Sequence, residues 1–150
     1  MRKKRARRKP AEAFLSHSSK NSYFATRLVR ALAAASVPVF FSKKSIRGAQ
    51  EWHDEIGSAL KRCNWFLLVL SPHSVKSKWV KHELLYALQS NRYREKIVPC
   101  IHKTCKPENL SWTLDQFQFV DFRTDFDSGC RELFAIWGLK YPSAKRRRKR

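Results

Sequence analysis

Two periods of apolar residues alternate along this chain. Residues 11–16 form a short apolar run closed by the polar stretch Ser16-His17-Ser18-Ser19, which predicts a buried strand ending in a turn. Over residues 21–35, Phe24, Leu28, Ala31, Leu32 and Ala35 return at three- and four-residue spacing, the pattern of a helix with one buried face. Residues 37–41 are β-branched and aromatic, with Pro38 near their start, and predict a second strand. A polar loop over residues 42–50 holds Arg47-Gly48. Residues 51–63 then set Trp52, Ile56, Ala59 and Leu60 on one helical face. From Trp65 to Leu70 the chain is continuously apolar, which suits a central strand covered on both faces, and Ser71-Pro72 stops it. A third helix is predicted over 77–91, a fourth strand over 96–101, a fifth over 117–122 and a closing helix over 126–139.

Strands that alternate with helices join through right-handed crossovers and build a parallel sheet with helices on both faces. The expected fold is therefore α/β, a flavodoxin-like doubly wound sheet of five strands in the order 2-1-3-4-5. It would form one domain over residues 11–140, flanked by basic tails at 1–10 and 141–150. In that order the switch point lies between strands one and three, and ligands favour the crevice beyond their C-terminal ends. Residues 16–19 and the segment from Ser71 to the third helix line that crevice.

Composition narrows the class. At 43% hydrophobic and 13% aromatic residues the chain has ample material for a packed core, so disorder is excluded. Its longest apolar run, six residues, is far short of the roughly 20 that span a bilayer, and no apolar segment of a signal peptide follows the basic N-terminus. A cytoplasmic location is expected. The net charge of +20 is mostly terminal: seven basic residues lie in 2–9 and six in 145–150, which leaves 19 of the 32 against 12 acidic residues. Such tails suit nucleic acid or an anionic membrane, or simply a solvated terminus. The four cysteines form no Cys-x-x-Cys pair, and Cys100, His102 and Cys105 match no common zinc spacing, so reduced thiols and no metal are expected. The four glycines are unclustered, which disfavours a dinucleotide redox fold.

The third helix carries one misplaced charge. At about 100° per residue, with Trp79 taken as the origin, Glu83 falls at about 40°, Ala87 at about 80°, Val80 at about 100° and Leu84 at about 140°. Glu83 thus lies within the apolar stripe, where a carboxylate is costly unless it is paired, hydrogen-bonded or used. A structural ion pair or an edge position reaching solvent would also account for it.

Three segments, residues 13–32 (AFLSHSSKNSYFATRLVRAL), 47–60 (RGAQEWHDEIGSAL) and 65–88 (WFLLVLSPHSVKSKWVKHELLYAL), resemble bacterial TIR (Toll/interleukin-1 receptor) domains, and the similarity runs from about residue 11 to 139. Phe14-Leu15-Ser16-His17-Ser18-Ser19-Lys20 is similar to the family's first box, residues 42–50 to its BB loop, and residues 77–83 to the motif that holds the catalytic glutamate of its NAD-cleaving members. The resemblance implies hydrolysis or cyclisation at the nicotinamide–ribose bond of NAD+, with NAD+ as substrate and no bound cofactor, in antiphage defence or signalling. It assigns Glu83 the catalytic role and Trp79 a wall of the same pocket. Ser16, His17, Ser18 and Ser19 would contact ribose or phosphate, although turn and capping roles suit them equally, and Arg47 would meet the diphosphate or stand exposed without a role. It further implies self-association through the BB loop (Ser42 to Gln50) and a separate sensor or effector partner. Ser42-Lys43-Lys44 departs from the acidic residue many relatives carry there. A non-enzymatic adaptor acting through TIR–TIR contact is the alternative.

Overall fold

The computed structural model describes residues 6–41 and 49–142, with side chains undescribed at 49 and 50. Five strands, β1 (Ala13–Ser16), β2 (Val39–Phe41), β3 (Trp65–Leu70), β4 (Ile97–Ile101) and β5 (Val120–Asp121), alternate with four helices, α1 (Ser22–Ala34), α2 (Ala49–Arg62), α3 (Lys78–Gln89) and α4 (Phe126–Ile136). The sheet is all parallel in the order β2-β1-β3-β4-β5, as the pattern predicts.

Strand parity sorts the core into two layers. Ala13 and Leu15 of β1 with Trp65, Leu67 and Val69 of β3 meet Phe24, Leu28 and Leu32 of α1 and Leu133 and Phe134 of α4. On the other face Phe14, Phe66, Leu68 and Leu70 meet Ile56, Ala59 and Leu60 of α2 and Val80, Leu84 and Ala87 of α3. The Phe14 and Phe66 rings stack with centroids 5.5 Å apart and planes 5° from parallel. All six residues of β3 are buried, which explains its unbroken apolar run. Parity also decides the site: Ser16, two residues beyond Phe14, is delivered to the face covered by α3.

The largest departure from expectation is β5, two residues long where residues 117–122 predict six. The register Cys100↔Val120 and Ile101↔Asp121 would place Pro99 opposite Phe119. Phe122 N–H donates to the Ile101 carbonyl, so the same edge of β4 carries Pro99, which has no N–H to extend the ladder. Residues 117–119 form neither helix nor strand and follow a 3-10 turn at Trp112–Gln116. The predicted start of α1 is similarly refined: Ser19–Asn21 form a 3-10 turn before the helix proper. The latter half of the basic N-terminal run is laid on the domain: Arg7 N–H donates to the Ile136 carbonyl at 2.8 Å, and its guanidinium sits 5.1 Å from the Trp65 ring centre.

In α4, Gly129 gives the buried Phe122 ring room to pack edge-on against Phe24 at 5.2 Å. A Cβ at position 129 would overlap that ring. Replacing a helical glycine by alanine ordinarily gains about 1 kcal/mol, whereas forced overpacking costs about 1–3 kcal/mol. Gly129→Ala is therefore expected to lower the urea midpoint of unfolding at unchanged slope. A midpoint at or above that of the wild type would show that the ring yields freely.

Candidate functional site

The chain ends of β1 and β3 are tied together by small polar side chains. The Ser71 N–H donates to Ser74 Oγ at 2.9 Å, and the Ser74 N–H returns to Ser71 Oγ at 3.0 Å. Ser71 Oγ in turn donates to Asn21 Oδ1 at 2.5 Å. All three side chains are buried, so each needs the bonds it makes. This lace crosses the switch point and holds the turn after β1 against the turn after β3. Sequence pattern marks Asn21 only as a helix start and Ser71 as a strand stop, because the partner lies 50 residues away.

Beside the lace, Ser77 Oγ accepts from the Val80 N–H at 3.2 Å and starts α3, whose second turn brings Glu83 inward. Glu83 is 4% exposed, and its Oε1 accepts a 2.7 Å hydrogen bond from Ser16 Oγ, itself 1% exposed. Burial pushes the Glu83 carboxyl up to about 7, while the Ser16 hydroxyl pulls the other way by favouring the charged form. The stripe expected from the helical wheel therefore does contain this carboxylate. It is held by a hydroxyl, not by the ion pair that pattern alone left open.

Trp79, one turn before Glu83, is 42% exposed, so it covers the seam between α2 and α3 and does not enter the core. Its ring meets Trp52 of α2 edge-on at 4.6 Å, with His53 at 5.9 Å and His82 at 6.0 Å. Trp52, expected as a core residue of its helix, keeps Nε1–H buried without an acceptor among the described residues. The remaining predicted site residues take separate places. His17 packs its ring 5.8 Å from Phe41 of β2. Ser18 Oγ accepts from the Lys20 N–H at 3.2 Å in the turn, and Ser19 is exposed at the start of that turn. Arg47 and residues 42–48 lie outside the described residues.

Other groups offer less chemistry. A cavity of about 520 Å³ opens between α1 and α4, on the opposite face of the sheet from Glu83, and the Asp127 carboxylate at its rim accepts from Tyr141 Oη at 2.8 Å. Cys63, Cys100 and Cys130 are buried, and burial raises each thiol well above its ordinary range, which suppresses the reactive thiolate. Among the described residues no three His, Cys, Asp or Glu side chains gather as a metal site, and no helix is long and apolar enough to cross a membrane.

Comparison with known proteins bears on the same elements. A family model described as the TIR domain matches residues 13–134. The chain is 30% identical over 133 residues to the NAD(+) hydrolase PdTIR of Paracoccus denitrificans (strain Pd 1222), covering 85% of this chain and 44% of that protein. It thus spans less than half the length of the curated relative it matches. Among solved structures, the TIR domain of the Toll-related receptor TRR-2 from Hydra magnipapillata superposes with a TM-score of 0.64 at 19% identity, covering 81% of this chain and 94% of that one. A prokaryotic SEFIR domain gives a TM-score of 0.60 at 12% identity, covering 85% and 99%. With the match running from the first residue of β1 into α4, and the strand order in agreement, this chain belongs to the TIR domain family.

Proposed function

We propose that this TIR domain cleaves the N-glycosidic bond between nicotinamide and ribose in NAD+. The observation that carries the reading is the buried Glu83 carboxylate at the switch-point crevice, one helical turn from the half-exposed Trp79 ring. The similarity to a named NAD(+) hydrolase supports it. Cleavage of this bond asks little covalent work of the protein. Nicotinamide departs as a neutral base, and positive charge develops on the ribose as an oxocarbenium ion. A fixed carboxylate beside that charge binds the transition state more tightly than the ground state. Trp79 offers a flat apolar surface for a planar ring at the mouth. The ribosyl cation then passes to water, giving ADP-ribose, or to an acceptor within the substrate, giving a cyclic product. NAD+ is substrate here, and no resident cofactor enters the scheme. Defence or signalling in the cytoplasm is the setting this reading carries with it.

The test is incubation of purified protein with NAD+, with products resolved by chromatography. Nicotinamide release supports the reading, and its absence across all protein concentrations favours an adaptor acting by contact alone. Self-association through residues 42–50 belongs to the same proposal. A body bearing +7 and the pair Lys43-Lys44 repel their like, and screening relieves that repulsion. Activity per molecule is expected to rise with protein concentration and, at first, with moderate salt. Gly48→Pro should lower it without unfolding the domain. Specific activity flat from nanomolar to high micromolar protein, with only monomer by light scattering, would refute assembly.

A further inference from the structure

We propose that Ser16 is a positioning residue: its hydroxyl fixes Oε1 of Glu83 and so aims the other carboxylate oxygen at the crevice, without touching substrate itself. This rests on the proposed NAD+ cleavage and gives Ser16 a role different from the ribose or phosphate contact that the family resemblance implies. Three observations carry it. At 1% exposure Ser16 has no surface with which to meet a ligand. Its single proton is committed to Glu83 Oε1 at 2.7 Å. The second carboxylate oxygen, Oε2, accepts no hydrogen bond from the described residues.

The arrangement follows from topology. Parallel pairing of Ser16 with Leu68 places the hydroxyl at the end of β1, on the face against which α3 packs. A glutamate side chain has three rotatable bonds, and one short bond to a rigid strand removes most of that freedom. The same bond favours the ionised carboxyl in a site whose burial disfavours it. The titratable groups on the surrounding elements are His17 beyond β1, Glu51, His53, Asp54, Glu55, Lys61 and Arg62 on α2, and Lys78, Lys81, His82 and Tyr86 on α3, all exposed except His17. None contributes to the shift of Glu83, which has burial and Ser16 as its causes.

Two measurements on the full chain test this. In Ser16→Ala the acid limb of the NAD+-cleavage profile is expected to move up by about one pH unit, and kcat near pH 7 to fall about tenfold, at a KM within about twofold of wild type. Ser16→Cys, close in size with a weak donor, should move both in the same direction by less, and serves if the alanine variant fails to fold. A large rise in KM with an unmoved acid limb would make Ser16 a substrate contact and overturn the proposal. So would a profile identical to wild type. Carbon NMR titration of the Glu83 carboxyl, identified by its loss in Glu83→Gln, separates the two readings. Should the wild type not cleave NAD+, the functional reading falls, yet the carboxyl midpoint must still rise in Ser16→Ala. An unmoved midpoint overturns the positioning role whatever the activity.

Discussion

Glu83→Gln is expected to lower NAD+ cleavage by at least about 100-fold, the scale for losing one preorganised electrostatic stabiliser, while the fold and the nucleotide affinity change little. The amide matches the carboxyl in shape, and its oxygen can still accept from Ser16 Oγ, so the 2.7 Å contact survives. What is lost is the negative charge facing the developing cation. Since that charge must be present, cleavage in the wild type should rise with pH along a limb centred near the Glu83 value of about 7. Steady-state kinetics on folded protein checks both statements. Near wild-type turnover in Glu83→Gln would remove this residue from the chemistry.

The same substitution is expected to make the protein more stable. In the unfolded chain a glutamate releases its proton at about 4.5, but burial holds the Glu83 proton up to about pH 7 in the fold. Between those values the folded state binds more protons than the unfolded state, so stability falls as pH rises through the window. The contribution of this carboxyl to stability is fully present below pH 4.5 and is lost above about pH 7. A rise from 4.5 to about 7 corresponds to about 3 kcal/mol at 1.36 kcal/mol per pH unit. Glutamine carries no such penalty. Urea denaturation at pH 8 should therefore show the variant about 3 kcal/mol more stable than wild type, and the two should converge at pH 4.5 and below. A gap independent of pH would trace to packing and not to the buried charge.

Much of this architecture is legible in the chain because it rests on local repeats. The unbroken Trp65–Leu70 run marks a central strand, and the helical stripe through Val80, Leu84 and Ala87 exposes Glu83 as the one charge within it. What pattern does not give is pairing across distance. The Ser16–Glu83 bond spans 67 residues and the Asn21–Ser71 bond 50, and neither serine differs in sequence from an ordinary turn former. The shortness of β5 is hidden for the same reason, since residues 117–122 look like a strand until Pro99 of the neighbouring strand is known to face them. Trp79 and Trp52 share the apolar periodicity of their helices, yet both lie at the α2–α3 seam, a distinction that depends on how those helices meet.

Pro99 has a consequence for solubility. An outer strand with an unbroken row of donors and acceptors is a template on which the strand of another molecule can zip, and proteins that must reach high local concentration are the most exposed to that hazard. Here the outward edge of β4 lacks a donor midway along its length, and β5 covers only the two residues beyond it. Sheet-to-sheet aggregation along this edge is thereby blunted.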